Sequence, residues 1–183
     1  MVERARKRTP ADLASRLQFE VGDARSTRLN RKFDAAISLF HVASYQTRNE
    51  DLLGMFATAA THLKSGGIFV FDFWYGPGVL TDPPVERVKY LEDGVIQVTR
   101  TAKPTLRPNE NIVDVHYEVL VKQNRNGMVA DIEETHSMRY LFLPEVRLML
   151  QSAGMELLQA ERWMSQEELD RGSWQAVVIA QRQ

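Results

Sequence analysis

A histidine and a tyrosine that could take part in proton transfer follow an apolar run in the first quarter of the chain. Phe40 and His41 come at the end of Phe33–Phe40 (FDAAISLF), and Tyr45 follows four residues after His41. Imidazole titrates near ~6.5, so His41 is the leading candidate for a proton acceptor at neutral pH. The alternative is a histidine that only packs against a ligand or hydrogen-bonds its own loop, and the residues alone leave both open.

Two aromatic residues end a second apolar run, Ile68–Trp74 (IFVFDFW). The rings of Trp74 and Tyr75 could hold a sugar or another planar acceptor and exclude water, although core and turn positions are commoner for such residues. Asp72 interrupts the same run. A carboxylate there needs a buried partner, so a functional role or a capping role is open.

The remaining histidines and paired acids give weaker signals. His116 and His136 lie far apart and have no companion cysteines, so no metal site is predicted and hairpin histidines are the simpler interpretation. Glu133 and Glu134 are interpreted as a solvated strand end rather than as a paired acid-base site.

Composition limits the classes of function. The 183 residues, 44% of them hydrophobic and 26% charged, suit one globular domain with a core. A net charge of -1 predicts neither nucleic-acid nor membrane partners and leaves small molecules as the expected ligands. The absence of cysteine excludes disulfides, a thiolate nucleophile and cysteine-ligated zinc. With no apolar run of ~20 residues and no signal-peptide pattern, a cytoplasmic protein is predicted.

The spacing of apolar residues predicts the elements that position the candidate residues. Leu17–Val21 and Phe33–Phe40 are predicted as short parallel strands, the second buried on both faces. Asn49–Leu63 has helical spacing and ends at a glycine pair, and Ile68–Trp74 is the most strand-like run in the chain. Met1–Arg8 has the composition of the end of a helix.

An antiparallel insertion is predicted after Tyr75, where Gly76-Pro77-Gly78 and Pro83-Pro84 are predicted to break the chain. Turn signals such as Asn126-Gly127 separate strand-like segments without helices between them, which indicates hairpins. The segments are Val85–Leu91, Val95–Ala102, Asn111–Lys122 and Met128–Leu141. The α/β pattern then resumes with a helix at Pro144–Ala153 and strands at Met155–Trp163 and Trp174–Gln181.

Three of these segments, in this order and spacing, resemble the class I S-adenosylmethionine (SAM)-dependent methyltransferases. They are Phe19–Arg25 (FEVGDAR), Phe33–Tyr45 (FDAAISLFHVASY) and His62–Phe73 (HLKSGGIFVFDF), which match that family's third strand, its fourth strand, and its fourth helix with fifth strand. Tyr140–Leu157 resembles the helix-to-strand passage that closes the same fold. The inserted sheet makes the branch with deoxyaminosugar N,N-dimethyltransferases the nearest one.

The resemblance covers nearly the whole chain and implies an α/β, Rossmann-like SAM methyltransferase fold that lacks its first strands and carries an antiparallel β insertion. Residues 1–80 and 140–183 would form the incomplete core. Residues 81–139 would form an antiparallel β cap for substrate or dimer contact.

The function that the resemblance implies is transfer of a methyl group from SAM to a nitrogen or oxygen of a small molecule, with an aminosugar among the candidate acceptors. Asp23 and Ala24 would hold the adenine, although Asp23 is equally well explained as a turn aspartate. The other implied roles are catalytic for His41 and Tyr45, cofactor-binding for Phe40 and His41, and acceptor-binding for Trp74 and Tyr75; no metal is implied.

The family's glycine-rich loop and the acidic end of its second strand are not found in this sequence. Phe33–Phe40 would then be an open edge, which is a template for another strand. Three explanations for the missing segments are open: a gene model that starts too late, a deliberately shortened chain, and an open edge that is covered in a homodimer. The first is favoured. The alternative function is a truncated, non-catalytic remnant that acts as a self-associating or partner-binding scaffold.

Overall fold

The computed structural model describes residues 1–183 except Asn126 and Met128, so part of the predicted Asn126-Gly127 turn and the predicted strand start at Met128 lie outside the described residues. The helices are α1 (Val2–Arg8), α2 (Asn49–His62), α3 (Gly76–Thr81) and α4 (Leu143–Ser152). The strands are β1 (Phe33–Ser38), β2 (Leu63–Tyr75), β3 (Arg87–Glu92), β4 (Ile96–Arg107), β5 (Ile112–Gln123), β6 (Val129–Leu141), β7 (Met155–Arg162) and β8 (Gln175–Arg182). Among the described residues, no helix is long and apolar enough to cross a membrane.

One sheet joins the strands in the order β3-β4-β5-β6-β2-β8-β7, and β1 also pairs with β2. Strand β2 is the centre of this arrangement, because β8 runs antiparallel along one side of it and β1 runs parallel along the other. Strand β6 joins the same side as β1, but only at the last two residues of β2, through the pairs Trp74↔Tyr140 and Tyr75↔Leu141. The end of β1 and the end of β6 therefore meet beside the carboxyl end of β2.

Strands β3 to β6 form the predicted antiparallel insertion, which we call the inserted sheet. Strand β4 continues beyond the predicted end at Ala102, through Pro104 to Arg107. Ala102 is the last residue of β4 that pairs with β3, so the missing N–H of Pro104 breaks no hydrogen bond to that strand. The proline therefore does not end the strand.

Three sequence-based predictions of local structure are wrong. Strand β1 was predicted to be buried on both faces, but none of its residues is fully buried and Ile37 is 67% exposed. Leu17–Val21 is not a strand; Val21 is 86% exposed, and no described strand lies beside this segment to pair its backbone. Gly76-Pro77-Gly78 was predicted to break the chain but begins helix α3, where proline in the first turn costs no hydrogen bond.

The main core lies between the sheet and helices α2 and α4. Phe69, Phe71 and Phe73 occupy every second position of β2, so their rings share one face of the sheet. Phe56 of α2 packs on this face against Phe69 and Phe71. The Phe71 ring lies 4.8 Å from that of Phe69 and 5.0 Å from that of Phe56, measured between ring centroids. A second cluster, built on Val79, Val113, Val115 and Tyr140, joins the inserted sheet to α3.

We expect Phe71→Ala to lower the free energy of unfolding by about 3–5 kcal/mol, because the substitution leaves a cavity where a fully buried ring was in contact on several sides. Chemical denaturation followed by circular dichroism measures this loss. Leu148→Ala on α4, whose side chain is 68% exposed, is the control and should change stability by no more than about 0.5 kcal/mol. Equal losses in both variants would contradict this location of the core.

Candidate functional site

Two consecutive residues with left-handed backbone place His41 just beyond the end of β1. Phe40 has a φ of 64° and His41 a φ of 63°. This conformation costs a residue other than glycine of order 1–3 kcal/mol, and such strained residues recur at functional sites. The Phe40 side chain is 80% exposed, so core packing does not hold the corner. Some other interaction must offset the cost.

The carboxylate of Asp72 on β2 provides that interaction. Its two oxygens accept the backbone N–H of His41 at 3.0 and 3.1 Å, and Oδ2 lies 2.8 Å from Nδ1 of the His41 ring. The Asp72 side chain is 1% exposed and that of His41 is 23% exposed. The partner that a buried carboxylate requires is thus the strained residue itself. The apolar run around Asp72 signalled that a partner was needed but did not identify it.

The turn that follows this corner is tied to four elements. Ser44, which is fully buried, accepts the backbone N–H of Trp74 on Oγ at 2.9 Å and the backbone N–H of Arg139 on its carbonyl at 2.6 Å. The Arg139 guanidinium donates to Oδ1 of Asn49 at 2.8 Å and to Oε2 of Glu145 at 3.0 Å. These bonds fix the turn to β2 and β6 directly, and to α2 and α4 through Arg139.

Tyr45, at the end of the same turn, meets the inserted sheet. Its Oη lies 2.7 Å from Nδ1 of His136, and Nε2 of His136 lies 3.1 Å from Oε2 of Glu134. Burial, followed by the neighbouring Tyr117 and Glu134, raises the pKa of Tyr45 above its usual value of 10.0, so the phenol is protonated at neutral pH. Nothing in the sequence marks His136 for this position, because the contact depends on where β6 joins the core.

Trp74 and Tyr75 point to opposite faces of the sheet, as consecutive strand residues do. The Trp74 ring lies edge-on to His41 at 6.3 Å and to Trp174 at 5.2 Å, measured between ring centroids. Tyr75 instead packs against the main core, where burial and then the charge of Asp170 raise its pKa. Trp74 therefore lies beside His41, whereas the Tyr75 ring lies on the other face of the sheet.

Asp23 lies in an exposed turn, where its carboxylate is hydrogen-bonded to Arg25. Arg25 donates its backbone N–H at 2.9 Å, Nε at 2.9 Å and Nη2 at 2.7 Å to the Asp23 carboxylate. Nη1 of Arg25 also donates to Asp51 at the start of α2. The hydrogen bonds from Arg25 lower the pKa of Asp23 to about 2. This geometry is that of a turn aspartate paired with an arginine.

Ala24 borders a shallow groove of about 360 Å³ along β1 and α2. Leu29, Phe33 and Ile37 also line it, and the Ile37 side chain is 67% exposed. Among the described residues, β1 pairs with β2 alone, so its other edge is bare on the side of this groove. The structure thus brings His41, Tyr45 and Trp74 together and leaves Asp23 and Ala24 in the segment that leads to β1.

A sequence comparison gives one informative relative. The dTDP-3-amino-3,4,6-trideoxy-alpha-D-glucopyranose N,N-dimethyltransferase of Streptomyces venezuelae is 33% identical over 119 residues, which are 65% of this chain. The match covers 48% of that enzyme, so the chain spans about half the length of the curated relative that it matches. No protein-family model matches the chain.

Several solved structures share its fold. An S-adenosylmethionine-dependent methyltransferase from Clostridium acetobutylicum gives a TM-score of 0.76 at 18% identity, over 89% of this chain and 63% of that one. DesVI from Streptomyces venezuelae gives 0.76 at 20% identity, over 99% of this chain and 70% of that one. A SAM-bound amino pentose methyltransferase from Micromonospora echinaspora gives 0.68 at 18% identity, over 88% and 63%. At these identities the likeness is one of fold.

We expect Arg25→Ala to return the pKa of Asp23 from about 2 toward its usual 3.8, because the arginine supplies the hydrogen bonds that favour the ionised carboxylate. The pair therefore stabilises the folded chain above pH 3.8, and this contribution is lost as the pH falls toward 2. Titration of the Asp23 carboxyl carbon by NMR measures the change. Arg147→Ala, on the exposed side of α4, should leave the Asp23 titration where it is.

Proposed function

We propose that this chain, which has the Rossmann-like fold of class I SAM-dependent methyltransferases, transfers a methyl group from SAM to a nitrogen or oxygen of a small molecule. The observation that carries the proposal is the pairing of His41 with the buried Asp72 on a strained corner. The corner lies at the carboxyl ends of the parallel strands β1 and β2, which is where open α/β sheets bind ligands.

The residues at this edge fit part of the cofactor. When bound, SAM would supply a methyl carbon on a sulfonium for in-line attack by an amine or hydroxyl, with the S–CH3 bond breaking and S-adenosylhomocysteine as the leaving group. Phe40 and His41 would border it, the exposed Phe40 ring offering an aromatic face. Asp23 and Ala24 would hold the adenine, but the Asp23 carboxylate is free to accept the adenine amino group only after Arg25 turns away toward its second partner, Asp51.

The chain's own contribution to the reaction is positioning and acceptance of a proton. Nδ1 of His41 lies 2.8 Å from Oδ2 of the buried Asp72 carboxylate, so Nε2 is the ring nitrogen left to face an acceptor. Trp74, backed by Trp174, stands edge-on beside His41 and would limit the access of water once an acceptor is bound. The inserted sheet would act as the cap that closes over the acceptor.

The curated relative supports an aminosugar as the acceptor class. That enzyme's name specifies a dTDP-linked 3-amino sugar, and the match covers the majority of this chain. We therefore take a nucleotide-linked aminosugar as the first acceptor to test.

The test combines binding and transfer. We expect the full chain to bind S-adenosylhomocysteine in isothermal titration calorimetry and to move labelled methyl groups from SAM to a dTDP-linked aminosugar. His41→Ala should lower kcat by about 10²–10⁴-fold, the usual contribution of a general base. His116→Ala on β5, a partly exposed histidine outside the site, should keep the wild-type rate.

Absence of both binding and transfer in the wild-type chain would overturn the proposed function. Transfer that persists at the wild-type rate in His41→Ala would leave the function standing and remove the proton-acceptor role of His41.

A second candidate function, self-association as a scaffold, is favoured by the bare edge of β1 next to the exposed Ile37. An apolar strand edge with free N–H and C=O groups pairs readily with another copy of itself.

If this edge mediates self-association, we expect the wild-type chain to sediment as a concentration-dependent dimer and Ile37→Lys to sediment as a monomer, because lysine on an edge strand opposes pairing. Val88→Lys on β3, a comparably exposed strand residue at the far side of the inserted sheet, should remain dimeric. A wild-type monomer at every concentration would argue against the scaffold function.

A further inference from the structure

We infer that His136 and Glu134, on β6 of the inserted sheet, are positioning residues of the acceptor site. They hold Tyr45 so that its phenol oxygen accepts a hydrogen bond from the amine or hydroxyl that is methylated. The inference rests on the proposed methyl transfer and deepens it, because it gives the inserted sheet a specific part in binding the acceptor.

The three side chains form a hydrogen-bonded chain with a defined direction. An ionised carboxylate can only accept, so Nε2 of His136 must donate to Oε2 of Glu134 across 3.1 Å. A neutral imidazole with its proton on Nε2 has Nδ1 as an acceptor, so Tyr45 donates its hydroxyl proton to Nδ1 across 2.7 Å. The Tyr45 oxygen then has no proton left to give and offers its lone pairs to another donor.

This directional chain also decides which residue can contact the acceptor. Both ring nitrogens of His136 are engaged, one by Tyr45 and one by Glu134, so His136 acts only through Tyr45. Tyr45 is 47% exposed and lies four residues after His41 on the turn that Ser44 anchors. Its oxygen can therefore face a ligand that also reaches His41.

Aromatic packing supports the orientation of the His136 ring that these hydrogen bonds require. Tyr117 on β5 pairs with Glu134, and its ring stands edge-on to that of His136, with 5.3 Å between centroids. The guanidinium carbon of Arg100 on β4 lies over the Tyr117 ring, 5.3 Å from its centroid. These residues come from three neighbouring strands, so the orientation of His136 is a property of the sheet.

The chemical gain is alignment of the acceptor. A primary or secondary amine that donates one N–H to Tyr45 has its lone pair turned away from the phenol, toward the side from which the methyl group arrives, while His41 takes the proton released after the new bond forms. A misplacement of about 1 Å at such a site lowers the rate by up to about 10²-fold.

The same sheet contains a matched control. His116 on β5 also lies beside a carboxylate and a hydroxyl, with Nε2 3.8 Å from Glu118 and Nδ1 3.1 Å from Oγ1 of Thr135. It has a similar exposure to His136, but its hydroxyl partner belongs to β6 of the same sheet and not to the turn after β1.

The experiment compares transfer to a dTDP-linked aminosugar by the full chain and its variants. We expect Tyr45→Phe and His136→Ala to lower kcat/KM for the acceptor by about 10- to 100-fold, while the Kd for S-adenosylhomocysteine stays at the wild-type value. His136→Asn should recover part of the rate, because its side-chain oxygen can replace Nδ1 as the acceptor for Tyr45. Glu134→Gln should fall between the wild type and His136→Ala, and His116→Ala should match the wild type.

A second measurement does not depend on activity. The nitrogen NMR signals of His136 in its neutral form should show a proton on Nε2 and a bare Nδ1, and Tyr45→Phe should shift the Nδ1 signal. Wild-type kcat/KM in His136→Ala, or a proton on Nδ1 of His136, would overturn the inference and leave the proposed function intact. Failure of the wild-type chain itself to bind S-adenosylhomocysteine and to transfer methyl groups would overturn both.

Discussion

The burial of one carboxylate determines the geometry of the whole candidate site. Asp72 lies between Phe71 and Phe73 on the central strand, where an uncompensated charge costs several kcal/mol even after relaxation. His41 relieves that cost with its backbone N–H and its ring, and in doing so it accepts a left-handed backbone. Two unfavourable features, a buried charge and a strained corner, thus stabilise each other.

The corner in turn determines where the inserted sheet meets the core. Strand β6 pairs with β2 at only two residues, and the space that β1 leaves beside β2 is filled by the turn that carries Ser44. Ser44 accepts one hydrogen bond from each strand, from Trp74 of β2 on its Oγ and from Arg139 of β6 on its carbonyl oxygen. It therefore links the two strands in the place where a strand between them would lie. The turn is therefore the structural joint between the two parts of the sheet, and Tyr45 is its point of contact with the insertion.

The parts of the fold that could be predicted from sequence were those with a strong local signal. The continuous apolar character of Phe33–Phe40 and Ile68–Trp74 identified β1 and β2, and the spacing in Asn49–Leu63 identified α2, each to within a few residues at its limits apart from the start of β2. Leu17–Val21 had strand composition but no neighbour, and composition alone cannot supply a pairing partner.

The candidate site was predictable only where a residue ends a strand. His41 and Trp74 were expected at one edge because carboxyl ends of parallel strands meet there, and Tyr45 was expected on the loop that follows His41. The contact between His41 and Asp72 could not be predicted, because it depends on the register of β1 with β2. The hydrogen bonds through His136 could not be predicted either, because they depend on the contact of β6 with the turn. Long-range register of this kind leaves no local pattern in the residues that it brings together.

The inserted sheet also affects how the chain can reach its fold. Strands β3 to β6 follow one another through short connections, so their contacts are close in sequence and can form early. Once they have formed, the ends of the long loop between Trp74 and Tyr140 are closer together, so we expect much of the entropy of closing that loop to be lost in small steps. We therefore expect the parallel pairing at the end of β2 to be the docking of a preformed unit, with the site at this junction assembled last.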